Sequence, residues 1–475
     1  MFPTATSFIP VTVALARFIY EGGNVFGHYP YWYLGSTPFR YLTGPVAPFV
    51  LVLLKSVTGL GFFELSFFLI GFSIFFSSLG WGVFAKTLSG SRRIGVLVFV
   101  LSLVLPWQTV SALGLGEVSA VLAQAFCPWL LFVFTKYHVS RIKYQAFMAA
   151  LFALLLLTNV VASIPTIIGL ILLAFILNKH WEQGLKKLAV MLVFGWFLAS
   201  IWYGLGFWLK VFLAPSFAGK SAASVVFWLL DLFKGLVPFG LALGVVFLGF
   251  GRRSKYTKFT LLWFLGFFLL TLFRFSADMD FWMDWTSWFW QLEIGAVLLG
   301  AKLVQSEKSI QISKYSLVLV VFFVYLVVGW TYAFSKKGFW FPRTDIGNTV
   351  EFKTANQLKN TVGKNETVFL SGSTAFWLNS IVDVQQVRGG ADQASVDTAW
   401  RKVAWEVREG ASAKEAYLGL RQLGVGYLVV HGAGSKEYYH DFSNTEKFEE
   451  KNLFEKVYDA EGDVIYRINS VQSLK

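Results

Sequence analysis

Residues 62–93 read FFELSFFLIGFSIFFSSLGWGVFA (Phe62–Ala85) and then KTLSGSRR (Lys86–Arg93). The first part is apolar and long enough to cross a bilayer, which takes about 20 such residues. The second part is short and basic. Short basic loops stay on the cytoplasmic side. The pair therefore predicts one membrane span and its direction, outside at Phe62 and inside at Lys86.

The same alternation repeats along the chain. Residues 1–335 carry 23 Lys+Arg and 10 Asp+Glu, whereas residues 336–475 carry 18 of each. The net charge of +13 thus belongs to the apolar part. Sixteen of those 23 basic residues fall in five stretches: Lys86–Arg93, Lys136–Lys143, Lys179–Lys187, Arg252–Lys258 and Lys302–Lys314. The apolar runs between them predict ten spans. These lie near 62–85, 93–106, 115–135, 144–159, 162–178, 188–206, 235–251, 258–273, 287–303 and 315–335. Entering at Phe62 from outside puts every basic stretch inside and residues 336–475 outside. The expected fold is an all-α polytopic membrane bundle of about ten spans with a C-terminal extracytoplasmic α/β domain. The expected location is the cell membrane.

Composition agrees. Hydrophobic residues make up 56% and charged ones 15% of the chain, against about a quarter charged in soluble domains. A pI near 9.5 raises nucleic acid as a partner. The basic residues are dispersed between spans, so they point to membrane lipids and not to nucleic acid. The single cysteine, Cys127, excludes an intrachain disulfide and reads as a small packing residue.

The parity leaves residues 1–60 outside with no span before them. Phe8–Tyr20 is apolar but short, and Arg17 and Glu21 interrupt or flank it. Val46–Leu54 ends at Lys55, so an outer helix lying along the membrane fits it better than a span. A first span is expected to be missing from this sequence. The reading divides the chain into an outer loop and juxtamembrane helix (1–60), a transmembrane helical domain (61–335) and an outer domain (336–475).

Ten acids occur in the membrane part. Glu182 and Glu307 fall in inner loops. Glu21, Glu64, Glu117, Asp231, Asp278, Asp280, Asp284 and Glu293 map to outer loops or outer span ends. Ionisable groups at membrane depth are costly and tend to mark function. Solvated loop charge explains the same distribution without function. The densest group is RFSADMDFWMD (Arg274–Asp284), with Glu293 about two turns into the next span. Three carboxylates within seven residues suit a general base. Asp278 and Asp280 also suit a hard divalent cation such as Mg or Mn, although no calcium-loop spacing is present. Trp282, Trp285, Trp288 and Trp290 interleave here. They suit an interfacial aromatic belt, or a stacking platform for a sugar or lipid head group.

The first outer segment reads GHYPYWYLGSTPFRYLTGP (Gly27–Pro45). Its prolines and glycines exclude a long helix. Its aromatics, Tyr31 among them, and the lone His28 and Arg40 give it the character of a binding loop. His28 could carry a proton, or be a solvated histidine. Arg40 could pair with phosphate through its planar fork, or contact lipid head groups. Asp231 and Lys234 are three apart on a predicted helix and suit an ion pair. Asn365-Glu366-Thr367 is a sequon.

In residues 336–475, Glu366–Gly372 predicts a strand, and Asp392–Gly410 and Ser412–Leu423 predict helices. Gly424–His431 predicts a buried strand. Phe454–Tyr458 and Asp463–Ile468 predict a hairpin across Asp459–Gly462. Gly389-Gly390 is a turn and not a phosphate loop. No nucleophile-plus-base pattern stands out, so binding or shielding is expected of this domain.

This order of features resembles a known architecture. The aromatic first outer loop His28–Pro45 precedes many spans. Gly116–Pro128 (GEVSAVLAQAFCP) resembles a Gly-to-Pro motif of a third span. Arg388-Gly389-Gly390, Leu423–Val430 and Val464–Arg467 resemble an outer tail. The family is that of polytopic membrane proteins named for a region related to 6-pyruvoyl-tetrahydropterin synthase, within the GT-C glycosyltransferase superfamily. The resemblance covers most of the chain. It implies a GT-C-like bundle that takes a sugar from a polyprenyl-phosphate carrier at the outer face. In that superfamily a carboxylate in the first outer loop, soon after the first span, usually acts as base. Here Glu21 is the only acid in that segment and does not match that position.

Three functions follow. The first is a membrane glycosyltransferase with Asp278, Asp280 and Asp284 as acid candidates, His28 as an auxiliary and Glu21 as the loop acid. Arg40 or Arg274 would steady the phosphate, and Glu293, Trp285 and Tyr31 would contact substrate. The second is a transporter or flippase of a lipid-linked substrate, disfavoured because the acids avoid the midplane. The third is a non-catalytic envelope scaffold with a glycan-binding outer domain.

Overall fold

The computed structural model describes residues 1–36, 44–137, 142–177, 181–208, 254–276, 285–305, 312–336, 341–363, 365–390 and 399–470. Two short helices come first, α1 (Ile9–Tyr20) and α2 (Val46–Thr58). The bundle follows with α3 (Phe62–Ser89), α4 (Arg92–Leu103), α5 (Pro106–Gly114), α6 (Val118–Tyr137), α7 (Ile142–Thr158), α8 (Ser163–Leu177) and α9 (Trp181–Tyr203). It continues with α10 (Lys255–Ser276), α11 (Trp285–Gln305) and α12 (Ile312–Ser335).

Among the described residues, four helical stretches are long and apolar enough to cross a membrane: α3, Arg92–Gly114, α6 and α9. The predicted spans at 144–159 and 162–178 are the shorter apolar helices α7 and α8. The predicted seventh span, 235–251, lies outside the described residues, as do Asp231 and Lys234.

The second predicted span, 93–106, is shorter in sequence than the apolar stretch it belongs to. Helix α4 stops at Leu103, and Pro106 restarts the chain as α5. Proline lacks the N–H of a helix interior but suits a first turn. The break therefore falls where the sequence places its proline, and the apolar stretch runs on to Gly114.

Large aromatic rings fill the bundle core. Trp81 packs on Trp263 at 5.3 Å and Phe84 on Phe259 at 5.0 Å, tying α3 to α10. All four rings are buried, and edge-on geometry suits their quadrupoles.

The C-terminal part holds α13 (Val350–Thr361), β1 (Thr367–Phe369), α14 (Ser373–Ile381), β2 (Gln385–Gln386), α15 (Ala399–Arg408), α16 (Ala413–Gln422), β3 (Val425–His431), β4 (Phe454–Ala460) and β5 (Asp463–Ile468). The sheet order is β2-β1-β3-β5-β4. β1 pairs in parallel with β2 and β3, while β3–β5 and β5–β4 are antiparallel. The predicted hairpin is present with a tighter turn. Ala460 pairs with Asp463, leaving Glu461 and Gly462 at φ 54° and 85°, the pattern of a two-residue primed turn. The sequon threonine, Thr367, lies in β1 and gives its hydroxyl proton to Gln385 Oε1 at 3.0 Å.

Helix α1 joins the two parts. Ile9, Val13 and Ala16 pack with Leu65, Leu69 and Leu122 of the bundle. Val11, Ala14 and Leu15 pack with Tyr29, Trp32 and Tyr33 in a cluster continuous with the sheet domain. A helix apolar on both faces is buried between partners. α1 accordingly sits between bundle and sheet domain, where its Phe8 neighbour meets Phe376 of α14 at 5.2 Å.

Candidate functional site

The eight acids expected outside divide into four that are described and four that are not. Asp231, Asp278, Asp280 and Asp284 lie outside the described residues. So does Arg40. Arg274 belongs to the last turn of α10 and Trp285 opens α11, so the three aspartates fall in sequence between these two helices.

Each of the four described acids has a partner set by local structure. Glu64 accepts the Gly61 N–H at 2.8 Å and caps α3, as expected of an acid three residues into a helix. Glu117 accepts the Asn159 side-chain amide at 2.8 Å. Glu21, at the end of α1, pairs with Arg17 at 3.2 Å.

Glu293 is 4% exposed. Its carboxylate accepts the backbone N–H of Trp107 at 3.2 Å and of Gln108 at 2.9 Å, and also the Tyr325 hydroxyl. The first N–H groups of a helix have no partner within it and carry partial positive charge. The α4–α5 break creates such a terminus inside the bundle, and Glu293 fills it. One residue pair back along α11, Gln291 donates to Gln124 Oε1 at 2.7 Å and Trp290 to Ser111 Oγ at 2.6 Å. A polar seam thus binds α11 to α5 and α6.

The first outer segment brings Glu21 and Tyr31 together. Arg17 reaches Asp383 at 3.3 Å as well as Glu21, and donates to the Asn379 carbonyl at 3.2 Å. Tyr31 and Tyr29 pack at 5.3 Å beside Phe18. Burial, then the Asp383 charge, pushes both phenols up. Burial also raises Asp383, against the pull of Arg17. His28 is exposed on the neighbouring loop, its ring lying over Gly35. Glu293 stands apart from this group, within the bundle.

The loop then adds to the edge of the sheet. Gln386 donates its N–H to the Tyr31 carbonyl at 2.9 Å, and Leu34 donates to the Gln386 carbonyl at 3.3 Å. Tyr33 and Leu34 take left-handed backbone at φ 53° and 60°, which costs free energy for non-glycine residues. Trp32 lies against Gly389 and Gly390. A Cβ at either would come within 2.6 Å of the indole. Gly389-Gly390 is the seat of Trp32 and so fastens the first outer segment to the sheet domain.

Sequence reasoning missed the polar network around the start of α14. Arg388 donates to Ser371 Oγ at 2.6 Å, and Arg388 and Arg408 both face Asp441, at 3.5 and 3.4 Å. Thr374 Oγ1, His431 Nε2, His431 Nδ1 and Asp463 Oδ1 follow in line at 3.1 and 2.7 Å. That order is that of a hydroxyl nucleophile, its base and an orienting acid. The threonine is 2% exposed, and its proton is committed to the Ser371 carbonyl at 2.7 Å. It serves packing and not attack. These residues are scattered from 371 to 463, so no spacing in the sequence signals them.

Among the described residues no group of three or more His, Cys, Asp or Glu side chains could hold a metal ion. Asp278 and Asp280 are outside that set, and no step is assigned to a metal.

No family model matches the chain, and no curated protein matches it. Solved structures do. The Archaeoglobus fulgidus oligosaccharyltransferase, tethered to an acceptor peptide, superposes with a TM-score of 0.55 at 12% identity, over 90% of this chain and 65% of its own. A second structure of that enzyme holds an inhibitory peptide and a dolichol-phosphate (TM-score 0.52, 11% identity, 99% and 71%). The mycobacterial arabinofuranosyltransferase AftD gives 0.55 at 15% identity, over 99% and 38%. ArnT from Cupriavidus metallidurans gives 0.50 at 12% identity, over 98% and 93%. This chain therefore spans under two thirds of the first archaeal structure and well under half of AftD. None of these likenesses supports the narrower family named for 6-pyruvoyl-tetrahydropterin synthase. What they share with this chain is its architecture: it has the fold of the GT-C membrane glycosyltransferases.

Proposed function

We propose that the protein is a membrane glycosyltransferase of GT-C type, drawing its sugar from a polyprenyl-phosphate carrier at the outer face. The observation that carries this reading is the likeness to three transferases over nine tenths or more of the chain. The charge pattern supports ten spans, with residues 336–475 outside. The same pattern supports a division at 1–60, 61–335 and 336–475.

In this proposal a carboxylate of the loop between α10 and α11 takes the proton of an acceptor hydroxyl. The oxygen attacks the anomeric carbon, and the bond from that carbon to the carrier phosphate breaks. Arg40 or Arg274 stabilises the phosphate that leaves. Asp278, Asp280 and Asp284 are the base candidates, because Glu21, Glu64, Glu117 and Glu293 are each committed to structural partners. His28 assists from the first outer segment, and Tyr31 and Trp285 offer rings for stacking. Lipid and a lipid-linked sugar are the partners.

The test replaces all three aspartates with asparagine in the full chain and measures sugar transfer from polyprenyl-phosphate donors. Loss of transfer with retained folding supports the assignment. Unchanged transfer moves the base elsewhere. Donor binding with no transfer in the wild type favours the envelope scaffold, and flipping of the donor across liposomes favours the transporter.

A further inference from the structure

One cluster in the sheet domain has more acceptors than protons. Glu351 of α13 and Glu437 of the loop after β3 are each 2% exposed. Both meet the same hydroxyl. Ser373 Oγ is 3.0 Å from Glu351 Oε1 and 2.7 Å from Glu437 Oε1. The Ser373 N–H also points at Glu437 Oε1, at 2.5 Å. A serine hydroxyl has one proton to give. If both acids were ionised, one of these contacts would set a lone pair against a buried carboxylate. The second oxygens, Glu351 Oε2 and Glu437 Oε2, accept no hydrogen bond. Gly372, at φ +72°, leaves room for the acid: a Cβ there would lie 2.4 Å from Glu437 Oε1.

We propose that Glu437 and Glu351 share one proton across Ser373, and that this proton is a latch holding the Ser435–Asp441 loop and the start of α14 onto α13. Glu437 Oε1–H donates to Ser373 Oγ, and Ser373 Oγ–H donates to Glu351 Oε1. The Arg343 guanidinium stands 3.8 Å from Glu351 Oε2, which favours placing the proton on Glu437. Deprotonation sends the shared proton to solvent and leaves two buried carboxylates facing one hydroxyl.

The surrounding charges fit this assignment. His431 of β3 lies close enough to favour the Glu437 anion, and Asp441 on the same loop opposes it. Burial outweighs the hydrogen bonds from Ser373 and holds Glu437 above the ordinary glutamate range. Tyr439 feels the Glu437 charge from the same loop. His431 is itself paired with Asp463 of β5 at 2.7 Å, which Ser435 also contacts at 2.5 Å. Arg388 and Arg408 balance Asp441.

The latch has a mechanical consequence. Arg343 exchanges two backbone hydrogen bonds with Phe2, at 2.9 and 2.7 Å, and α14 packs on α1. The proton thus sits where the sheet domain, the connector from the bundle and the N-terminal segment meet. A rise in external pH loosens this junction.

The test is hydrogen–deuterium exchange of the full chain in detergent micelles, from about pH 5 to about pH 8, a range that starts above the ordinary glutamate value. Rates are corrected for intrinsic exchange. Wild-type amides in 371–376 and 433–442 are expected to exchange about tenfold faster at the upper end. Glu437→Gln cannot titrate, and its amide N–H can still donate to Ser373 Oγ, so its protection is flat with pH. Glu351→Gln removes the competing charge and also flattens the profile, which keeps the test open if one variant misfolds. A flat wild-type profile overturns the proposal. A pH step that survives both glutamine variants and vanishes in His431→Gln assigns the sensor to histidine and overturns it as well.

Discussion

In the helical bundle three carboxylates each serve one structural element. Glu64 caps α3, Glu293 caps α5, and Glu117 holds the side chain of Asn159. In the sheet domain the carboxylates serve one another's partners. Glu351 and Glu437 meet on Ser373, and Asp441 lies between two arginines. The difference follows from solvent. A hydrocarbon environment penalises every unpaired group, so a lone acid there needs a fixed donor such as a helix N-terminus. A small domain in water can bury several acids together if protons and arginines balance them. The acids of the bundle thus hold its shape, and the proposed latch gives the sheet domain a response to proton concentration.

The joint between the two regions is the first place to break this comparison. Trp32 is 2% exposed and rests on Gly389 and Gly390. Trp32→Ala is expected to cost about 3–5 kcal/mol, as for a buried tryptophan. Limited proteolysis should then release the sheet domain while the bundle stays resistant. Equal loss of both would mean that the joint is not separate from either core.

A smaller effect tests the bundle's use of its acids. Glu293→Ala leaves two backbone N–H groups and a tyrosine hydroxyl without their acceptor. A cost of about 3 kcal/mol is expected, within the range for unsatisfied buried groups. It is read as a lower Tm in detergent. Glu293→Gln should recover part of it through its remaining carbonyl. A tolerated alanine would show that the α5 terminus has another acceptor.

On the domain side, Gly372→Ala forces a side chain against the Glu437 carboxylate at φ +72°. The expected cost is about 1–3 kcal/mol, confined to the sheet domain. The smallest effects belong to the half-exposed cluster on α1. Arg17→Ala is expected to cost less than about 1 kcal/mol. Asp383 is raised by burial, so the folded state holds its proton more tightly than the unfolded chain. Stability from this group is present below the ordinary aspartate range and falls as pH rises through its raised value. Asp383→Asn should flatten that slope slightly in a denaturation series, and a steeper slope would contradict the sign.

Much of the fold was legible because it depends on long patterns. Apolar runs marked the helices, and alternating residues with turn signals marked β3, β4 and β5. Other features were not legible, β2 and α1 among them. β2 is two residues long and exists because the first outer segment and β1 flank it. α1 is too short to read as a span and too apolar to read as a surface helix, and only the tertiary fold shows that it lies between two partners. The site was less legible than the fold. Glu293 looked like a substrate contact from its depth in a span, yet it lies at a helix terminus that only Pro106 creates. The Glu351–Ser373–Glu437 cluster joins residues far apart in sequence, with no fixed spacing to announce it.

In the proposed reaction a sugar is transferred from a lipid carrier with the help of the carboxylates between α10 and α11. The most direct measurement reconstitutes the full chain in liposomes with radiolabelled polyprenyl-phosphate sugars and follows release of the carrier phosphate. The wild type is predicted to convert donor. The Asp278→Asn, Asp280→Asn, Asp284→Asn triple variant is predicted to be slower by about 100-fold or more, the scale of a lost general base, with an unchanged Tm. Equal rates for the two proteins, or no conversion of any donor by the wild type, would contradict the account.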